Sequence, residues 1–402
     1  MVISEHKIEI IQPLVLITIA VLHQIGAGIA FLDFVYHFRA VFNMSASLIG
    51  LTMGLVSFSY IMGCMFLSKL YTDIRPRNQL VMGCTLFALT LLLISRATNI
   101  YQLWFLMITY GLSQTMVWPT LVIWLTRGKE GIHLSKTLSA YSFFSSLGAG
   151  ISPLICTLLV EKNTYLPLQV TCALAIIEVL IILIVSSLIP QIRATTSEKS
   201  YVKTVKGEDH STPLRFYAWI GVFCIYFMRN ALYTTFPLFT KETLHWNQST
   251  TGLILVVLGL VGCVGYIFYG KFHFWHFSIK HIIIAQLCVV IPLIVFNGVS
   301  SVLLFALFFA IIGFVTAAIS MESIFHGASG AVNRSKRMNI NEIILNSGTF
   351  LGGIIGGSLF QHYGFSQMFL IIALNFSVIL LVEIMLYYSK AERKHRYFAL
   401  II

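Results

Sequence analysis

The groups in this sequence that most need a chemical explanation are the ionisable residues standing inside long apolar runs. Arg229 sits near the middle of an apolar stretch at 216–240, too deep for its head to snorkel to either surface. A charge at that depth costs roughly 2.5–3.5 kcal/mol even on insertion scales, and a guanidinium cannot shed it by losing a proton. Either it holds a permanent ion pair with a neighbouring helix, or it forms an anion site facing a central cavity. The polar company of Tyr226, Asn230 and Tyr233 favours the anion site, and the planar fork of arginine suits a carboxylate or a phosphate. Asp33 stands toward the end of the first stretch, ten residues beyond His23. That separation leaves the two about 80° apart around a helix, so both can reach a wide cavity. Burial and a nearby cation pull a carboxyl's proton affinity in opposite directions, which is the logic of a proton carrier. An interfacial aspartate in water is the plain alternative. Glu178, mid-stretch and with no partner legible in the sequence, is a second proton-coupling candidate.

Other polar groups extend these two roles. His23 with Gln24 in the first stretch, Gln114 and Trp118 in the fourth and Asn346 in the eleventh are candidates for contact with a solute. Core packing explains them as readily. Glu322 and Glu342 lie near chain segments rich in Lys and Arg, which suits gating ion pairs. The seven cysteines all fall inside apolar runs and none forms a CxxC pair, so neither a metal site nor a disulfide framework is expected. With no nucleophile motif and no phosphate loop, no catalytic residue and no cofactor are expected either.

What must position these residues follows from composition. Of 402 residues, 57% are hydrophobic and 10% are charged, against about 25% charged in an ordinary soluble domain. Mean hydropathy is +0.86. Apolar stretches fall at 12–38, 46–70, 79–97, 101–126, 137–160, 166–189, 216–240, 248–270, 281–297, 301–325, 338–361 and 366–388. Each is about long enough to cross ~30 Å of hydrocarbon at ~1.5 Å per residue. The expected fold is all-α and polytopic, with twelve transmembrane helices in a cell membrane. The first stretch is longer than a signal-peptide core and is expected to stay as a span.

Charge sets the expected orientation. With the N-terminus inside, every Lys and Arg falls on the cytoplasmic side except Arg39, Arg96, Lys162, Lys241 and the intramembrane Arg229. The positive-inside rule then places both termini in the cytoplasm. The net charge of +11 is spread over short juxtamembrane loops, where anionic lipid rather than nucleic acid is the partner. The polar segment 191–215 reads as a cytoplasmic linker between a half at 1–190 and a half at 216–402. The halves match at an offset of 202: Ser47 with Ser249, Gly50 with Gly252, and Ser68-Lys69-Leu70 with Gly270-Lys271-Phe272. Such a parallel repeat places a binding site midway across the membrane.

The segment Ser68-Lys69-Leu70-Tyr71-Thr72-Asp73-Ile74-Arg75-Pro76-Arg77 resembles the G-x-L-x-D-x-x-G-R-[KR] loop of the major facilitator superfamily. Gly148-x-Gly150-x-Ser152-Pro153 resembles that family's helix-bending motif. The resemblance implies a gating latch at Asp73 and Arg77. Locally, Tyr226-x-x-Arg229 with Pro237 and Lys241-Glu242, together with Trp118-Pro119, is similar to the organophosphate/phosphate antiporter branch. There the arginine binds substrate phosphate. That branch carries a second arginine in the first span, where this chain has Gly26 to Ala30, so a monoanion or zwitterion is expected instead. The family implies a monomeric secondary transporter working by alternating access, with a small organic solute, protons and membrane lipid as partners. An exporter of amphipathic compounds is the alternative, since 31 Phe and 13 Met allow a greasy cavity. A non-transporting sensor is the third reading, and would be expected to carry a soluble domain.

Overall fold

A computed structural model describes residues 5–67, 73–127, 131–189, 212–295, 299–328 and 334–399. Most of the expected 191–215 linker, and residues 68–72 of the loop motif, lie outside the described residues. All regular structure among the described residues is helical. The first six helices are α1 (Glu5–Val41), α2 (Ala46–Met62, continued by a π-helical turn at Gly63–Leu67), α3 (Pro76–Ile94), α4 (Ile100–Thr126), α5 (Gly131–Lys162) and α6 (Leu166–Leu188). Then come α7 (Leu214–Glu242), α8 (Gln248–Lys271), α9 (Ile279–Val295) and α10 (Val302–Ala328). The last stretch, Arg334–Ala399, is broken at Gly364 into α11 and α12. Gly364 adopts φ 76° and ψ 176°, a region of backbone space open essentially to glycine alone. Local capping starts two of the other helices where the sequence turns polar. Ser45 accepts from the Leu48 amide at the head of α2, and Asn99 accepts from the Gln102 amide at the head of α4.

Helices stand at all twelve apolar stretches. Among the described residues nine helical segments are long and apolar enough to cross a membrane, with Lys336–Ser389 taken as one. α9 is apolar but shorter. α7 falls below that hydropathy because Arg229, Asn230 and its tyrosines dilute it. α6 shows how lipid and protein divide a helix. Thr171, Ala175, Glu178, Ile182 and Ser186 are buried, at spacings of three and four, while Ile176, Ile177, Leu180, Leu183 and Ile184 are exposed. Such a stripe is what a helix at the rim of a bundle presents.

The first six and last six helices meet along α2 with α11 and α5 with α8, with a lesser contact between α1 and α7. Glycines allow backbones to touch there. A Cβ on Gly50 would sit 2.1 Å from the Gly353 carbonyl oxygen, and one on Gly259 would sit 2.1 Å from the Gly150 Cα. At the end away from the linker, three polar links cross between the two sets. Arg39 Nε donates to Glu242 Oε1 at 2.8 Å, Gln361 Oε1 accepts from the Ser47 amide at 3.1 Å, and Glu161 Oε1 accepts from the Ser249 amide at 2.8 Å. The last two cap the second helix of each set with a side chain from the fifth helix of the other. The loops entering those helices also match, with Asn43 and His245 both left-handed at φ 48° and 53°. Deeper in the second set, Phe239 and Phe365 stack with centroids 4.2 Å apart and join α7 to the start of α12.

Candidate functional site

α7 carries Tyr226, Arg229 and Tyr233 on one face, because three- and four-residue spacings stack side chains along a helix. The guanidinium carbon lies 5.2 Å from the Tyr226 ring centroid and 5.9 Å from that of Tyr233. Tyr266 of α8 adds a third phenol within electrostatic range. The ion pairs found among the described residues are His23–Glu178, Arg39–Glu242 and His281–Glu322. None involves Arg229, whose Nε is buried without a hydrogen-bond partner. Two desolvated cation–π contacts of about 2 kcal/mol each rival the roughly 2.5–3.5 kcal/mol cost of placing the charge there, but they supply no counter-charge. Among the described residues, then, Arg229 is a deep cation with no carboxylate paired to it.

The residues expected beside Arg229 separate. Asn230 is 4% exposed, and its amide donates to the Thr349 carbonyl of α11 at 2.6 Å, so it joins two helices. The Asn346 amide donates to the Glu342 carbonyl of its own helix at 2.9 Å. Tyr266 was not legible beforehand, because only the packing of α8 on α7 and α10 turns it toward Arg229.

A second polar group lies inside the first six helices. His23 Nδ1 faces Glu178 Oε2 at 2.9 Å, and His23 Nε2 faces Gln114 Oε1 at 2.9 Å. The imidazole packs edge-on against Trp118 with centroids 5.0 Å apart and tilts against Phe87 at 4.9 Å. Cys84 donates to Glu178 Oε2 at 3.3 Å. His23, Cys84 and Glu178 are each fully buried. The structure thus joins four residues singled out separately and adds Cys84. Their ligand atoms lie within 4.8 Å of one another, a convergence of α1, α3 and α6 that motif spacing along the chain cannot reveal. Gln24 is on another face of α1, half-buried where a Cβ on Gly148 of α5 would meet it. Asp33 is fully buried, and neither of its oxygens has a hydrogen-bond partner. Its electrostatic neighbours include Tyr36 and Cys156.

The four gating candidates fall toward the linker end. Arg77 donates from Nε to Ser186 Oγ of α6 at 3.0 Å and from its NH1 nitrogen to Asn78 Oδ1 at 3.0 Å, and Asp73 is exposed. Glu322 is 1% exposed and pairs with His281 Nδ1 at 2.5 Å, with the Tyr269 hydroxyl 3.2 Å from the other ring nitrogen. Its partner is a histidine of α9 within the same set, where a basic loop was expected. Glu342 of α11 makes no hydrogen bond through its carboxylate among the described residues, and has Tyr60, Cys64 and Tyr141 as electrostatic neighbours. Glu383, whose place near the end of its stretch suggests contact with water, is instead 2% exposed.

Residues 16–332 match the family model of the Major Facilitator Superfamily. The chain belongs to the Major Facilitator Superfamily. Solved structures of similar fold include a POT family transporter in complex with 5-aminolevulinic acid, at 13% identity and a TM-score of 0.75, covering 94% of this chain and 96% of that one. The nucleoside transporter NupG is similar at 12% identity and a TM-score of 0.73, covering 93% and 98%. "Multidrug resistance protein 2" of Bacillus subtilis (strain 168) is 23% identical over 233 residues, 56% of this chain. The match spans 58% of that relative's length. As a member of the Major Facilitator Superfamily with many apolar helices, the chain is a multi-pass membrane protein with a transporter fold.

Proposed function

We propose that this chain is a proton-coupled secondary transporter that moves a small organic anion or zwitterion by alternating access, with Arg229 as the charge that binds it. The observation that carries the reading is the guanidinium of Arg229, deep in α7 between Tyr226 and Tyr233, with no carboxylate paired to it among the described residues. A charge in that position calls for an anion, and an incoming carboxylate or monoanionic phosphate would meet two arms of the fork. Asp33 is the proton carrier in this reading: a buried carboxyl with no partner at either oxygen can take up and release a proton as its surroundings change. The halves 1–190 and 216–402, joined by the 191–215 linker with both termini in the cytoplasm, are the units that rock. Their matched loops at Asn43 and His245 and their reciprocal caps support a parallel repeat. In this orientation the three cross-links hold the outer end shut, and Asp73, Arg77, Glu322 and Glu342 lie around the inner mouth.

The second reading, export of amphipathic compounds, is favoured by the named relative from Bacillus subtilis. Thermal-shift screening of organic anions, zwitterions and lipophilic cations on wild type and on Arg229→Ala and Arg229→Lys separates the two. The anion reading expects Arg229→Ala to lose binding while its melting temperature holds, and Arg229→Lys to bind weakly for want of the fork. A collapse in melting temperature, or unchanged affinity, ends that reading. Stabilisation by lipophilic cations in wild type and Arg229→Ala alike points to export. For coupling, Asp33→Asn is expected to keep solute exchange in proteoliposomes and to lose uphill transport driven by a pH gradient. Uphill transport that survives places the carrier elsewhere.

A further inference from the structure

We infer that His23, Cys84 and Glu178 form a buried metal site that takes one divalent transition-metal ion of the zinc class inside the first six helices. The inference begins with the placement of protons. Gln114 Oε1 lies 2.9 Å from His23 Nε2, and in the tautomer with the hydrogen on Nε2 it accepts from that nitrogen. In a neutral ring this leaves a lone pair on Nδ1. The lone pair points at Glu178 Oε2, another acceptor, 2.9 Å away. In that tautomer two acceptors face each other in a dry interior, and a proton or a metal ion between them would reconcile them. Cys84 Sγ lies 3.3 Å from the same oxygen, so a thiol, an imidazole and a carboxylate come together, their ligand atoms within 4.8 Å of one another.

The donor set and its surroundings suit a metal ion. Zinc binds these atoms at about 2.0–2.3 Å in tetrahedral sites, which sets ligand atoms roughly 3.3–3.8 Å apart. His23 Nδ1 and Glu178 Oε2, at 2.9 Å, would open by a few tenths of an ångström to admit the ion. Glu178 Oε1 is buried without a hydrogen-bond partner, and a carboxylate turned to bind through both oxygens would complete a fourth position. Sulfur and imidazole together favour zinc over magnesium or calcium. Loading releases the Cys84 thiol proton to solvent, so thiolate and carboxylate together balance the double charge of the ion. Neutrality is what full burial requires, since an uncompensated charge would be costly there. Gln114 is the positioning residue, fixing the ring orientation and tautomer from behind as outer partners of ligating histidines do. With all three ligands fully buried, the ion enters as the chain folds. It then ties α1, α3 and α6 together, which would let this set of helices move as a stiff unit.

A proton in the same gap, making an imidazolium–carboxylate pair, is the competing occupant, and metal analysis distinguishes them. Full-length protein is purified without chelators from cells grown with added zinc, and in parallel with cobalt. The expected result is about one zinc ion per chain, and in the cobalt protein a thiolate-to-cobalt charge-transfer band. Cys84→Ser should lose the band, and Glu178→Gln should lose most of the metal, each judged against elution profile and melting temperature. Should either variant fail to fold, the wild-type cobalt spectrum decides. Metal-free wild type with no cobalt band overturns the inference and assigns the gap to a proton. Metal retained in both folded variants overturns it too, because the ion then sits elsewhere.

Discussion

Removing one carboxylate from the closed end should loosen it by a small and calculable amount. Arg39 and Glu242 meet at 2.8 Å, but their side chains are 37% and 40% exposed. Exposed pairs of this kind are worth about 0.2–1 kcal/mol. Glu242→Ala should therefore raise the ratio of open to closed molecules by no more than roughly fivefold. Arg39 does more, because its NH1 nitrogen also donates to the Met44 carbonyl at 2.9 Å and braces the turn before α2. A charged donor to a partly buried carbonyl adds about 1.5 kcal/mol or more, so Arg39→Ala should open the end further than Glu242→Ala. The double variant should match Arg39→Ala, since the bridge is already gone. Spin labels at the exposed positions Ala40 and Thr243 would report the distance distribution across this end by pulsed electron resonance. The Glu242→Ala effect should also shrink in high salt, where exposed pairs are screened. Strict additivity of the two single variants, or a salt-independent shift, would refute this account of the latch.

Two further outcomes follow from other parts of the molecule. Gly364→Ala forces a side chain into a backbone region that costs about 1–3 kcal/mol, so it should lower the detergent melting temperature, and an unchanged value would dispute the break between α11 and α12. Reporter fusions at Ser200, Ser335 and the C-terminus should read cytoplasm, and those at Asn43, Asn163 and Asn247 should read outside. Any of the first three reading outside would overturn the span count or the orientation.

What could be read from the chain beforehand was whatever depends on local composition or short spacing. The apolar stretches, the position of Arg229 among tyrosines and the offset of 202 all belong to that class, and helices stand at every stretch. The Ser47–Ser249 match turned out to mark two amides capped across the interface. Contacts between distant segments were hidden. Glu178 had no explanation in sequence because its partners, His23 and Cys84, lie 155 and 94 residues away. Glu322 was expected to answer a basic loop, yet the nearest imidazole on α9 took it, since a buried carboxylate pairs with the closest donor rather than with the most charged segment. Asn230 shares a helix with Arg229, but one residue turns it about 100° and sends it into α11.

The bare contact between Gly150 and Gly259 has a mechanical consequence. Side chains that interlock across a helix pair must change rotamer or separate before the helices can tilt. Here a Cβ on Gly259 would strike the Gly150 Cα at 2.1 Å, so one smooth backbone rests on another. Such a joint works as a fulcrum with little friction, about which two rigid bodies can roll while their far ends swing. Any side chain added there would act as a brake, slowing the swing even where the solute site stayed whole.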